Sequence, residues 1–260
     1  VSLKHGQSKV PRKLLLHFGD DTPPESKQDI PVWIRDEWGV EEKSVLADAR
    51  AAGPDSPSIH VFIAKYQATN LNKRIAEQDA AQGTINFKGV PTGREGVEAR
   101  DAMQTRLTEA TNGLNSLVKD IVDGAKVFQS GGNERLELTL PAKIQEAAKA
   151  SLDRLFPDFG DADDARWDKV IQRARGGHDN PFEAVDFKDK LERHAVCAAI
   201  ISHIGSGKKG KEIRSHFADA PFGWSRDAVD AALISLFASG HLSASASGVT
   251  FKPKELDQNK

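Results

Sequence analysis

A chain of 260 residues, 38% hydrophobic and 28% charged, is long enough for one large domain or a few small ones, which excludes collagen-like, fibrous and wholly disordered organisation. Thirty-six basic against 38 acidic residues leave a formal charge of −2, so any nucleic-acid binding has to come from a local patch. The single cysteine, Cys197, makes no internal disulfide, and no apolar run approaches the roughly 20 residues that span a bilayer, so a soluble cytoplasmic protein is expected, without a membrane partner. The lone methionine is Met103 and the chain opens at Val1, which suggests a segment of a longer protein.

Residues 1–68 read as a small α/β segment, the edge of a larger preceding domain. Leu14 to Phe18 and Pro31 to Arg35 suit buried strands, Val45, Leu46 and Ala49 share one helical face ended by Gly53-Pro54, and Ser58 to Ala64 is a β-branched third strand. Residues 69–132 read as a helical hairpin arm. Leu71, Ile75 and Ala81 mark its first helix, Gly83 to Pro91 turns the chain, and Thr92-Gly-Arg-Glu95 has the spacing of a capping box. Met103, Leu107, Ala110, Leu114, Leu117 and Ile121 then recur at spacings of four and three, the period of a coiled-coil seam.

Residues 133–190 read as a mixed helical linker domain. The alternation in Arg135-Leu-Glu-Leu-Thr-Leu140 predicts a half-exposed strand, Pro141 suits a helix start, and Ile144, Ala148, Leu152 and Leu155 make its buried face. A second helix is expected from about Asp163 to Arg175. The acidic stretch Asp158 to Asp164 fails the EF-hand test, because counting from Asp161 puts Arg166 where Gly belongs and Gln172 where a bidentate Glu belongs. Its acidic side chains are expected to serve the following helix N-terminus, and no metal is assigned.

Residues 191–260 predict a winged helix. His194 to Ile204, Lys209 to Phe217 and Ser225 to Ser239 read as three helices, the third capped by Ser225 and ended by Gly240. His241 to Ser245 and Val249 to Lys252 then flank a hairpin turn. In such a fold the third helix can enter a groove, which makes Ser225, Arg226 and Lys252 candidate contacts and Lys208, Lys209, Lys211 and Arg214 candidate phosphate ligands. Against this, Asp227 and Asp230 share the third helix, and residues 201–260 hold eight Lys and Arg against six Asp and Glu, a net of only +2. A protein partner therefore competes with DNA.

Catalytic motifs are not found. Gly205 to Lys211 matches the G-x-x-x-x-G-K core of a P-loop, but Glu212 stands where a magnesium-binding hydroxyl is needed and a helix is expected before it. The histidines show no metal spacing, Cys197 reads as packing, and Trp33, Trp38, Trp167 and Trp224 read as isolated core anchors. Neither a catalytic residue nor a cofactor is assigned to this chain.

Several stretches resemble one family, the large P-loop ATPase of bacterial BREX and phage-growth-limitation defence systems (the BrxC/PglY type). They are Asp29 to Asp36, Lys43 to Arg50, Ser56 to Ile63, Gly96 to Met103, Gly124 to Gly132, Arg154 to Asp163, Pro221 to Asp230 and Ser239 to Leu242. The resemblance implies the region C-terminal to that family's ATPase motifs. The full-length family member would be an ATPase using ATP and Mg, acting in antiviral defence beside a methyltransferase and an alkaline-phosphatase-like subunit.

The expectation is thus a mostly α chain with a small α/β N-terminal part, a coiled-coil-like arm and a C-terminal winged helix. Its function would be non-catalytic assembly and binding of double-stranded DNA or a partner within a BREX-type complex, with a second copy of the chain as a further partner. The alternative is a stand-alone winged-helix DNA-binding regulator with a helical dimerisation element.

Overall fold

The computed structural model describes residues 2–246 and 249–251. Among them, eight α-helices and a curled six-stranded mixed sheet make a mostly α protein with a smaller α/β part. The sheet follows chain order: β1 (Ser2–His5), β2 (Val10–Phe18), β3 (Ile30–Asp36), β4 (Ile59–Ile63), β5 (Lys126–Gln129) and β6 (Glu134–Arg135). The three strands expected from the sequence, β2, β3 and β4, run parallel, with Val32 level with Ile59 and Leu16 level with Val32. Antiparallel β1 extends one edge, and antiparallel β5 and β6 extend the other.

Strand periodicity divides the apolar residues between two faces. Ile30, Val32, Ile59, Val61 and Val127 face α4 (Leu140–Leu155) and meet its Ala147, Ala148, Leu152 and Leu155. Phe62 and Phe128 face the other way, onto Val45 and Ala49 of α1 (Glu42–Ala51). Two polar ties hold α4 in place: Lys143 Nζ donates to the carbonyls of Asp123 and Ala125 at 2.8 and 2.7 Å, and Gln129 Nε2 donates to that of Ala147 at 3.0 Å.

Between β4 and β5 the chain leaves the sheet as α2 (Ala68–Lys88) and α3 (Arg94–Asp123), which pack on each other. The six apolar seam residues are all half-buried or buried on α3, as their spacing predicts. Gly83 does not end α2; the helix runs through it to Lys88, and the turn forms at Gly89, with φ +63°. The capping box does not form either. Gly93 is the N-cap residue, and no side chain accepts a hydrogen bond there.

A second core gathers α5 (Trp167–Arg175), α6 (Ala195–Ile204), α7 (Gly210–Ala218) and α8 (Arg226–Ala238) around Trp167, Phe182, Ile200, Phe217 and Leu236. The two-stranded β7 (Ser245–Ala246) and β8 (Val249–Thr250) follow α8. These cores correct the four-segment division. Residues 1–68 share a core with β5 and α4, so the boundary at 132/133 falls between paired strands, and the segment 133–190 divides, α4 to the sheet and α5 to the C-terminal helices.

The alternating Arg135 to Leu140 is not a strand: pairing stops at Arg135, Leu136 and Leu138 are 82% and 93% exposed, and Thr139 caps α4 by accepting from Ala142 N–H. Helix α5 starts at Trp167 rather than Asp163, and the acidic residues before it do other work. The Asp163 carboxylate accepts from Gln7 N–H, Ser8 N–H and Ser8 Oγ–H at 2.8–2.9 Å, and Asp164 pairs with Arg166 at 2.7 Å. Asp163 thereby ties the β1–β2 turn to the region between the two cores. A Cβ at Gly6 (φ +64°) would lie 2.3 Å from that carboxylate, so the turn requires glycine there.

The cores interlock through the α7–α8 connection. Arg12 donates to the Gly223 carbonyl and stacks 3.9 Å over Phe156, and Trp224 Nε1 donates to the Asp158 carbonyl at 2.8 Å. Burial lowers the pKa of this Arg12 guanidinium to about 10, with Asp29 opposing.

Candidate functional site

Helix α6 begins where His194 Nδ1 accepts from Val196 N–H at 3.2 Å and ends at Gly205, with φ +52°. The exposed turn that follows carries Lys208 and Lys209, and Lys211 lies on the first turn of α7, also exposed. Glu212, from the third helical position, accepts from the Lys209 N–H at 3.3 Å, which is half of a capping box. Glu212 therefore occupies the P-loop hydroxyl position with a carboxylate committed to the helix start, and the loop follows a helix instead of a strand.

Of the other predicted contacts, Ser225 is the N-cap of α8: its Oγ accepts from Ala228 N–H at 3.1 Å. Arg214 and Arg226 are brought together by one buried acid. Asp230, 2% exposed, takes Arg214 Nε at 2.6 Å and Arg226 Nε at 3.3 Å. Burial pushes the Asp230 carboxyl up from the usual carboxylate range, against the pull of both guanidiniums. The pairing locks α7 to α8 and offsets the charge of Arg214, expected as a phosphate ligand, and of Arg226, expected as a groove contact. Its signal was legible at i,i+4, Arg226 to Asp230, whereas the Arg214 contact is tertiary and has no sequence spacing. Lys252 lies outside the described residues.

An aromatic ladder joining α6, α7 and the α7–α8 connection was not foreseen. His203 and His216 stack at 3.7 Å and 7°, His216 meets Phe217 at 4.9 Å, and Phe217 stacks on Trp224 at 4.7 Å and 3°. Burial, then the neighbouring His216 and Lys208, lower the pKa of His203. Trp224, Trp167 and Trp33 are buried anchors as expected, but Trp38 is 55% exposed at the carboxyl end of β3. Cys197 is buried and its thiol pKa is raised by burial, which makes it packing.

Among the described residues no group of three or more His, Cys, Asp or Glu converges as metal ligands, and no helix is long and apolar enough to cross a membrane. The arrangement presents three solvated ammonium groups on a turn braced by α7, beside two guanidiniums held in place by Asp230. Compared with family models, curated proteins and solved structures, the chain gives no match.

Proposed function

We propose that the chain is a non-catalytic assembly and docking region of a bacterial BREX-type anti-phage defence ATPase, in which α6, α7, α8 and the β7–β8 pair act as a winged helix and α2–α3 as a coiled-coil arm. The family assignment rests on the sequence stretches quoted above. The docking role rests on one observation, the exposed Lys208, Lys209 and Lys211 turn at the N-terminus of α7, next to an Arg214–Asp230–Arg226 brace. Lysines in such a turn take phosphates as point charges and impose no sequence preference. Double-stranded DNA and an acidic face of a partner subunit are the two surfaces that fit.

Titration of the chain against a mixed-sequence duplex at low and moderate salt, beside the Lys208→Glu, Lys209→Glu, Lys211→Glu triple variant, tests the reading. For DNA docking, affinity falls with salt, and the triple variant loses binding and flattens the salt slope by about one per lysine. Absence of duplex binding at low salt, with loss of subunit capture in the triple variant, assigns the turn to a protein partner within the complex. A triple variant equal to wild type in both assays overturns the role of the turn. The stand-alone regulator is favoured instead if the chain selects one duplex sequence without any other subunit.

A further inference from the structure

The far end of the α2–α3 hairpin holds an apolar knob and an apolar hole side by side. Because α2 continues through Gly83, Phe87 and Val90 are carried to the tip, where they are 86% and 83% exposed. Thr84, about one helical turn before Phe87, and Lys88, the residue after it, belong to the wall of a notch of about 340 Å³, whose apolar lining includes Ile85, Pro91, Ala99 and Met103.

The notch is built into the turn. A Cβ at Gly96 would lie 2.7 Å from the Pro91 Cβ, and Arg100 donates to the Gly89 carbonyl, so the two helix ends are fastened across it. Over residues 84–101 the three cations Lys88, Arg94 and Arg100 are matched in number by the three anions Glu95, Glu98 and Asp101, and Arg94 pairs with Glu98 at 2.9 Å. A tip with balanced charge does not repel another like it.

An exposed aromatic beside a preformed apolar hole, on a locally neutral surface, is a self-complementary patch, which is what an isologous two-fold interface needs. We propose that the hairpin tip is a self-association site at which Phe87 of each chain seats in the notch of a second copy, joining two molecules tip to tip. The inference does not depend on what the C-terminal helices bind, since the tip lies at the far end of the arm and shares no residue with them.

Sedimentation velocity of the whole chain over a concentration series tests it. The wild type is expected to shift from monomer to dimer. Removing the knob with Phe87→Ala, or filling the hole with Ala99→Trp, weakens association by about a hundredfold or more, because two ring burials are lost per dimer. Far-UV circular dichroism stays at the wild-type value for both exposed substitutions. Mixing the two variants restores part of the dimer, since one knob and one hole remain; a merely sticky surface would instead associate more strongly on gaining a tryptophan. A wild type that sediments as monomer at every concentration, or a Phe87→Ala chain that dimerises like wild type, overturns the proposal.

Discussion

Helices α2 and α3 are the longest in the protein, at 21 and 30 residues, yet Ala81, Ala110, Leu117 and Ile121 are the positions on them that reach full burial. Helix α8, with 13 residues, buries nine. Helix length and helix stabilisation are therefore unrelated here. The arm carries polar outer faces and draws on one narrow seam, whereas α8 is held on all sides by α5, α6 and α7 and by the Asp230 ion pairs. Most helical stability in water comes from such tertiary burial. The contrast suits a division of labour in which the C-terminal helices hold the proposed lysine docking turn on a rigid scaffold and the arm offers its tip to a second copy.

The largest test of that contrast is Trp224→Ala. The substitution removes the face-to-face contact with Phe217 and the hydrogen bond to the Asp158 carbonyl, at the point where the two cores join. A loss of about 3–5 kcal/mol is expected, measured by chemical denaturation. Both cores should unfold in one transition, as interlocked units do.

A pH titration sharpens the contrast next. His60 is buried on the α1 face of the sheet with neither ring nitrogen hydrogen-bonded, and burial, then the Arg35 charge, lower its pKa to about 4. The neutral ring is thus the folded form. Unfolded, the same histidine takes a proton near pH 6.5. Stability is therefore complete above about pH 6.5 and is lost as pH falls toward 4, by about 3 kcal/mol. Replacing His60 with Phe should flatten this slope. His5, stacked 3.7 Å from Phe159 and lowered to about 4 by burial and Arg12, adds to it in the same direction. Residues 68–123 contain no histidine, so the helicity of the arm should not follow the titration.

Much of this architecture was legible from local signals. Strands β2, β3 and β4 follow their apolar runs, the α3 seam follows its spacing, and α8 starts at its Ser225 cap and stops before Gly240, which has φ +79°. What escaped was set by distant partners. Strand β5 is four residues long and pairs with β4 across the whole arm, so nothing near it in the chain announces a strand. The alternating Leu136 and Leu138 misled for the converse reason, because a period of two describes a strand only where a neighbouring edge accepts it. Asp163 reads as a helix cap by position and is taken instead by backbone N–H groups more than 150 residues away. At the candidate site the lysine turn and the Ser225 cap were visible, while the pairing of Arg214 with Asp230 waited on the packing of α7 against α8.

The smallest expected effect lies in the arm itself. Leu107 is half-buried in the α3 seam, and Leu107→Ala removes side-chain contact with α2 without opening either main core. A loss of about 1–2 kcal/mol is expected at such a partly solvated position, below the range for a fully buried leucine. The loss should also stay local. A hairpin stabilised by one seam opens as its own unit when the seam is weakened, because each helix alone nucleates poorly and gains little from its polar outer face. Hydrogen exchange should therefore accelerate across residues 68–123 while α5, α6 and α8 keep their wild-type protection. Uniform acceleration over both regions would mean that the arm and the scaffold share one cooperative unit, and the difference in burial between them would then carry no difference in behaviour.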